Sequence, residues 1–346
     1  MDRLLKQTCE WLKSSGPESE IILSSRVRLA RNLQKYPFSH WAGKKHERDV
    51  LAVVEAAIKK SALMKKALWF GMNEISDLDK QFLVERHLIS RELLSQPEYK
   101  AVAVSDKEII SIMVNEEDHL RIQVMQSGFN LQEAWRLANL VDDELAEQLP
   151  YAFDSKFGYL TACPTNVGTG LRASVMLHLP ALVMTKQINR VTQAISKLGM
   201  VVRGLYGEGT DADGNLFQVS NQITLGQSET ETIDHIERMI AQLIGHEQTA
   251  RKQLLKQNRE LLQDKVWRSL GTLRNAFIIT SMETIKLLSM VRMGVDMGIL
   301  KDINRKAVNE LFILTQPAHL QRMEGKLLAQ SDRDIKRAQI IRKRLG

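Results

Sequence analysis

The sequence predicts an α+β protein: an antiparallel sheet flanked by helices, followed by an all-helical C-terminal domain. Three observations carry that prediction. Residues 20–225 hold many short strand-like runs, some separated by turns as brief as "SDK" at 105–107, which favours antiparallel pairing. A single amphipathic stretch, "LQEAWRLANLVDDELAEQL" at 131–149, interrupts them with helical spacing. After about residue 228 the strand pattern stops. Ile233, Ile236, Ile240, Leu243 and Ile244 then recur at helical spacing, and nearly everything beyond reads as helix.

Taken in order, "MDRLLKQTCEWLK" reads as a short amphipathic helix; its charges at Asp2, Arg3, Lys6, Glu10 and Lys13 are unlike a signal peptide. Strands are expected at 21–30, 100–104, 108–114, 119–125, 157–162, 171–179, 200–207 and 216–225. A long helix near 229–260 joins the two parts. Thr280 with Glu283 forms a candidate capping box, and Ser331 is the expected N-cap of the last helix with Asp334 at its third position. The domains are therefore expected to be an N-terminal helix at 1–20, a sheet-and-helix domain at 21–250 and a helical domain at 251–346.

Composition limits the classes. An apolar fraction of 44% supports full-sized cores, and no run approaches the ~18 uninterrupted apolar residues of a membrane span. "VMLHLPALVM" is broken by His178 and Pro180. Two cysteines far apart, Cys9 and Cys163, fit a reducing compartment and a cytoplasmic protein. The net charge of +7 permits a nucleotide, a phosphoprotein or nucleic acid as partner and selects none of them. No P-loop and no kinase H-R-D or D-F-G set occurs. "DADGN" at 211–215 imitates a calcium loop but has Gly214 at position four and Gln222 at position twelve. No cysteine–histidine cluster has zinc spacing.

The arginines are more telling. In a strand, residues two apart share a face. Ser24, Arg26 and Arg28 share one; so do Glu117, His119, Arg121 and Gln123; so do Arg172, Ser174, Met176 and His178; and Arg203 precedes a Gly-rich turn carrying Glu208. A solvated sheet face accounts for any one of these strands. Such faces usually mix Lys, Glu, Thr and Gln, whereas these offer Arg with Ser, and Arg suits bidentate phosphate contacts. Parity also selects Glu117 over Glu116 as the acid on the arginine side. It either pairs with Arg121 or grips a cationic substrate, with Glu208 as the second carboxylate; two carboxylates can hold a planar guanidinium.

"SSRVRLARN" (24–32), "NEEDHLRIQ" (115–123), "CPTNVGTGLRASV" (163–175) and "RGLYGEG" (203–209) resemble, in order, the motifs of the phosphagen (guanidino) kinases. The resemblance covers about 21–250 and implies that family's catalytic fold and transfer of phosphate from MgATP to a guanidinium nitrogen. It implies that Glu117 and Glu208 hold the guanidinium with Cys163 beside it. It further implies nucleotide contacts from Ser24, Ser25, Arg26, Val27 and Arg28, from His87 and Arg121, from Arg172, Ala173, Ser174, Val175 and Met176, and from Arg203, Gly204, Leu205, Tyr206, Gly207 and Glu208. Only about 23 residues precede Ser24, where small-substrate members carry a helical domain, and a helical domain follows. With "RDIKRA" at 333–338, this resembles the branch of the family that phosphorylates arginine in proteins, where such a motif binds phosphoarginine; Arg333, Asp334, Arg337 and Ala338 match it. Taken alone, the stretch reads as a basic solvated helix. The branch also implies a zinc-binding activator protein, a Clp ATPase and a heat-shock repressor as partners, and a homodimer. A free-arginine kinase and a binding module on a dead kinase fold are the alternatives. A nucleic-acid binder would need more aromatic residues.

Overall fold

The computed structural model describes residues 1–204 and 213–346. A short helix α1 (Asp2–Lys6) and a 3-10 turn (Glu10–Leu12) lead into β1 (Ile22–Arg31). There follow α2 (Lys44–Lys60), β2 (Leu68–Gly71), α3 (Asp77–Glu85), β3 (Ala101–Val104), β4 (Ile110–Val114), β5 (Leu120–Ser127) and α4 (Leu131–Ala146). A two-strand ribbon, β6 (Phe153–Asp154) and β7 (Gly158–Tyr159), precedes β8 (Leu171–His178), α5 (Pro180–Met184), α6 (Ile188–Lys197), β9 (Met200–Gly204) and β10 (Leu216–Asn221). The rest is helical: α7 (Glu229–Gln257), α8 (Arg259–Asn275), α9 (Ser281–Asp296), α10 (Arg305–Leu314), α11 (Pro317–Glu324) and α12 (Gln330–Leu345).

Eight strands form one antiparallel sheet in the order β2-β3-β4-β5-β1-β8-β10-β9. Its two faces differ as the period-2 pattern requires. Val27, Leu29, Ile122, Val124, Ala173, Val175 and Val219 are fully buried on one face, where α4 and α7 pack. The other face carries the arginines. Arg26 lies opposite Ser174, Arg28 opposite both Gln123 and Arg172, Arg121 opposite Ala30, and Arg203 opposite Gln218. Five arginines from four strands therefore share one face.

The core does not stop where the sheet ends. Ile22, Val175 and Phe217 belong to the same buried cluster as Val266, Leu288, Leu311 and Leu345. Asn258 alone separates α7 from α8. Ser228 caps α7 in a reciprocal capping box with Glu231, and Thr280 accepts the Glu283 N–H at the start of α9. The expected cap at Ser331 is absent: α12 begins at Gln330 behind Ala329, with no side-chain cap, and Asp334 pairs with Arg337 instead. No helix among the described residues is long and apolar enough to cross a membrane.

Candidate active site

Strand geometry brings the site together at β1, β5 and β8. An open cleft of about 460 Å³ is lined by Arg28, Arg121 and Arg172 from the sheet, Glu117 from the acid run, and Cys163, Thr165, Asn166 and Gly170 from the segment before β8. Gly170 has φ +64°, and a Cβ there would meet the Ala30 carbonyl oxygen at 2.6 Å. The tight passage beside β1 thus requires glycine.

The acid run departs from strand parity. The strand begins only at Leu120; residues 115–119 form a bend, started by Asn115 in the left-handed region at φ 57°. Glu116 and Glu117 are consequently not on opposite faces. Arg121 reaches both, through Nη1 to Glu116 at 2.6 Å and Nη2 to Glu117 at 3.2 Å. The Glu116 side chain is fully buried and that of Glu117 is 43% exposed, so Glu117 is the acid that opens to the cleft. His119, expected beside the arginines, is buried away from them: its Nδ1 accepts the Leu33 N–H and its Nε2 contacts the Pro37 carbonyl. Burial raises the Glu117 pKa, with the neighbouring acids Asp118 and Glu116 adding to it and Arg121 opposing.

Residues not singled out from sequence hold this bend. Asn32 donates to Asp118 at 2.6 Å and to the Leu160 carbonyl, and accepts the His119 N–H. Asp118 also accepts the Ala162 N–H at 2.7 Å, so the acid bend and the Cys163 segment are joined through one carboxylate. Arg31, on the apolar face, donates to Asp142 of α4 at 2.7 Å and to the Thr169 carbonyl, and sits 3.5 Å over the Tyr159 ring. Only the register shows these links; a polar residue next to an arginine motif has no pattern of its own. Cys163 does not end a strand, as the run at 157–162 suggested. It precedes a 3-10 turn (Pro164–Asn166), is partly exposed, and its Sγ lies 3.0 Å from Thr165 Oγ1.

Arg121 is paired with Glu116 and Glu117, but among the described residues no acid pairs with Arg26, Arg28 or Arg172. Arg28 and Arg172 each have a buried Nε with no hydrogen-bond partner among the described residues. Loss of solvent, followed by the nearby Arg172 and Arg121, lowers the Arg26 pKa to about 10. Arg28 is pushed well below its usual value by burial and by Arg26, Arg121 and Arg172, against the pull of Glu116. These groups stay protonated at neutral pH, so the cluster is a cationic surface short of an anion, which the oxygens of a polyphosphate would supply. Arg203, exposed at the end of β9, shares a neighbouring hollow with Arg172.

The remaining expected nucleotide contacts fall into three groups. Arg26, His87, Ser24, Ser174 and Met176 line a second cavity next to the cleft. Val27, Ala173 and Val175 point into the apolar core, and Ser25 is buried with its hydroxyl donating to the Gly128 carbonyl; all four are fully buried in strands paired on both sides and offer no exposed atom to a ligand. Gly204 ends β9, and Leu205, Tyr206, Gly207 and Glu208 lie outside the described residues. In α12, Arg337 is buried and gives its Nε to the Thr315 carbonyl and its Nη1 to the Ile279 carbonyl and Asp334. Arg333 is half-buried and donates to the Leu328 carbonyl, and Ala338 is buried.

Comparison with known proteins defines the class. Residues 49–250 match the family described as ATP:guanido phosphotransferase, C-terminal catalytic domain. A solved duplicated taurocyamine kinase from Schistosoma mansoni superposes with a TM-score of 0.62 at 26% identity, over 68% of this chain and 34% of that one. A lombricine kinase shares the fold, with a TM-score of 0.60 at 24% identity over 70% and 71% of the two chains.

Residues 259–346 match the Protein-arginine kinase McsB C-terminal domain. Proteins named protein-arginine kinase from Desulforamulus reducens and Bacillus subtilis are 52% and 48% identical, each over 97% of this chain and over 95% and 93% of their own lengths. The chain belongs to the protein-arginine kinase family.

Proposed function

We propose that this kinase transfers the γ-phosphoryl group of ATP to arginine side chains of proteins. The observation that carries the reading is that Arg28 and Arg172, each with a buried Nε lacking a partner among the described residues, line the same cleft as Glu117 and Cys163. Arginines beside an open carboxylate suit an anion and a guanidinium side by side. The names of full-length relatives and the C-terminal match support a protein substrate.

A guanidinium nitrogen is a poor nucleophile, because its lone pairs are delocalised and its pKa exceeds ~12. Positioning and charge therefore carry most of the rate. Glu117, with Glu208, orients the nitrogen toward the γ-phosphorus. The N–P bond forms as the bond to the β-phosphate oxygen breaks, ADP leaves, and the nitrogen's proton passes to Glu117 and then to water. Arg26, Arg28, Arg121, Arg172 and Arg203 balance the triphosphate charge. Each pre-organised donor of this kind is worth roughly 10²–10³ in rate. A Mg²⁺ ion bound with ATP would be held by phosphate oxygens and water and would supply further charge neutralisation.

In the same reading Arg333, Asp334 and Arg337 bind phosphoarginine, and the cytoplasmic enzyme works as a homodimer. It acts with a zinc-binding activator protein, marks proteins for a Clp ATPase and inactivates a heat-shock repressor. The test is incubation of the purified chain with MgATP and casein, with free arginine in a parallel reaction, and mass spectrometry without acid, because the N–P bond is acid-labile. Phosphate on protein arginines and not on free arginine is the expected result. Phosphoarginine from the free amino acid would replace this reading with a small-substrate kinase.

A further inference from the structure

Beside the arginine cleft lies a cavity with a different character. Its floor is the sheet's arginine face, where Arg26 and Met125 contribute to the lining. Its other walls come from distant parts of the chain: Trp11 from the N-terminal 3-10 turn, His87 from the turn after α3, and Phe312 and Ile313 from the end of α10 in the helical unit. Trp11 and His87 meet edge to face, with ring centroids 5.3 Å apart. Burial, with Arg26 and Arg91 nearby, lowers the His87 pKa to about 4, so its ring is neutral at pH 7 and adds no charge to the arginine field.

Two features say what fits. First, the walls are aromatic, aliphatic and thioether groups, suited to a flat heterocycle. They adjoin Arg26, from which Arg28 follows about 7 Å further along the same strand face. The occupant therefore has an aromatic end and a polyanionic tail. Second, the Trp11 indole N–H is buried with no hydrogen-bond partner among the described residues. An orphaned donor is costly unless an acceptor arrives, and purine ring nitrogens are acceptors.

We propose that Trp11, Phe312 and Ile313 form the base subsite of the nucleotide, with the Trp11 indole donating to a ring nitrogen, so that the helical C-terminal unit is part of the nucleotide site. The inference rests on the ATP reading above. It makes the helical unit a determinant of nucleotide affinity as well as a candidate phosphoarginine reader.

The test uses the full chain with Trp11→Phe, which keeps a ring and removes the donor, and Phe312→Leu, which keeps apolar volume. The KM for ATP, kcat, and inhibition by ADP and by inorganic tripolyphosphate are measured for each. Trp11→Phe is expected to raise the KM for ATP and the inhibition constant of ADP roughly five- to tenfold, about the worth of one hydrogen bond, with kcat falling less. Tripolyphosphate, which has no base, should inhibit the variants and the parent alike, and that result also shows the variants to be folded. Shifts below twofold for ADP in both variants, or an equal loss for tripolyphosphate, would overturn the inference. Failure of the parent chain to bind either inhibitor would instead overturn the ATP reading itself.

Discussion

Arg121 divides its guanidinium between two carboxylates, and the division assigns their work. Glu116 is fully buried and holds the shorter contact, 2.6 Å against 3.2 Å, so it fixes Arg121 in place. In the proposed reading Glu117, 43% exposed and more loosely held, releases Arg121 and takes the substrate guanidinium instead. Glu117→Gln is accordingly expected to abolish transfer while ATP affinity stays within about threefold, because the phosphate-facing arginines are untouched. Isothermal titration with ATP beside a transfer assay checks both halves; retained transfer would remove Glu117 from the mechanism. The pH dependence follows from the same residue. Its pKa is raised, chiefly by burial, and only the ionised form grips a cation. Activity must therefore fall as pH drops through that raised value. The acid limb of kcat/KM is expected above the ordinary glutamate value of about 4.3. A profile flat down to that value would show that a different group controls binding.

At the scale of elements, the sheet was legible in the sequence because its rule is simple: alternate residues share a face, and the register only has to align strands whose arginines already agree. The same rule failed at 115–119, where the left-handed turn at Asn115 and the hydrogen bonds of Asn32 and Asp118 outweigh strand continuity. Parity could not see that bend, and so it misplaced His119 and separated Glu116 from Glu117. It also could not see the tie between α4 and the Cys163 segment. Arg31 and Asp142, 1% and 7% exposed, make that tie. Arg31→Met leaves a buried carboxylate unpaired, so a loss of about 3–5 kcal/mol is expected in urea unfolding; a loss under 1 kcal/mol would show the pair to be dispensable. In α12 the residues 333–338 stand plainly in the sequence, whereas the different surroundings of Arg333 and Arg337 do not. Arg337 already bonds two carbonyls and Asp334, whereas Arg333 bonds only the Leu328 carbonyl. Arg333→Ala should weaken binding of a phosphoarginine peptide tenfold or more with little change in Tm. Arg337→Ala should lower Tm as well, since it leaves buried carbonyls unpaired. Equal Tm losses in both variants would refute this division between a reading and a bracing arginine.

Across the whole molecule, a reader of the sequence sees two domains, because the hydrophobic period changes from two to 3.6 near residue 228. Period reports local structure and is blind to what packs against what. In the folded chain the buried cluster runs without a break from Ile22 and Phe217 of the sheet to Val266, Leu288 and Leu345 of the helices. Polar contacts bind the same seam. Arg292 of α9 is fully buried, donates to the Ser19 carbonyl at 2.7 Å and to Asn309, and lies 3.5 Å from Asp296; burial lowers its pKa to about 10. His178, at the end of β8, contacts Ser289 of α9 at 2.8 Å. Arg86, after α3, pairs with Glu108 and touches His319 of α11, whose Nδ1 meets Glu85. Opening the helical unit would expose that apolar surface and break the contacts of Arg292 with the Ser19 carbonyl, of His178 with Ser289 and of His319 with Glu85 at once. A partly unfolded state with the sheet intact is thereby disfavoured, and the full chain is expected to unfold in one cooperative transition. Differential scanning calorimetry checks this directly: the calorimetric and van't Hoff enthalpies should agree, and ADP should move the whole transition upward as one peak. Two resolved transitions, with ADP shifting only one, would show that the sheet and the helices are separate folding units and that the continuous core contributes little.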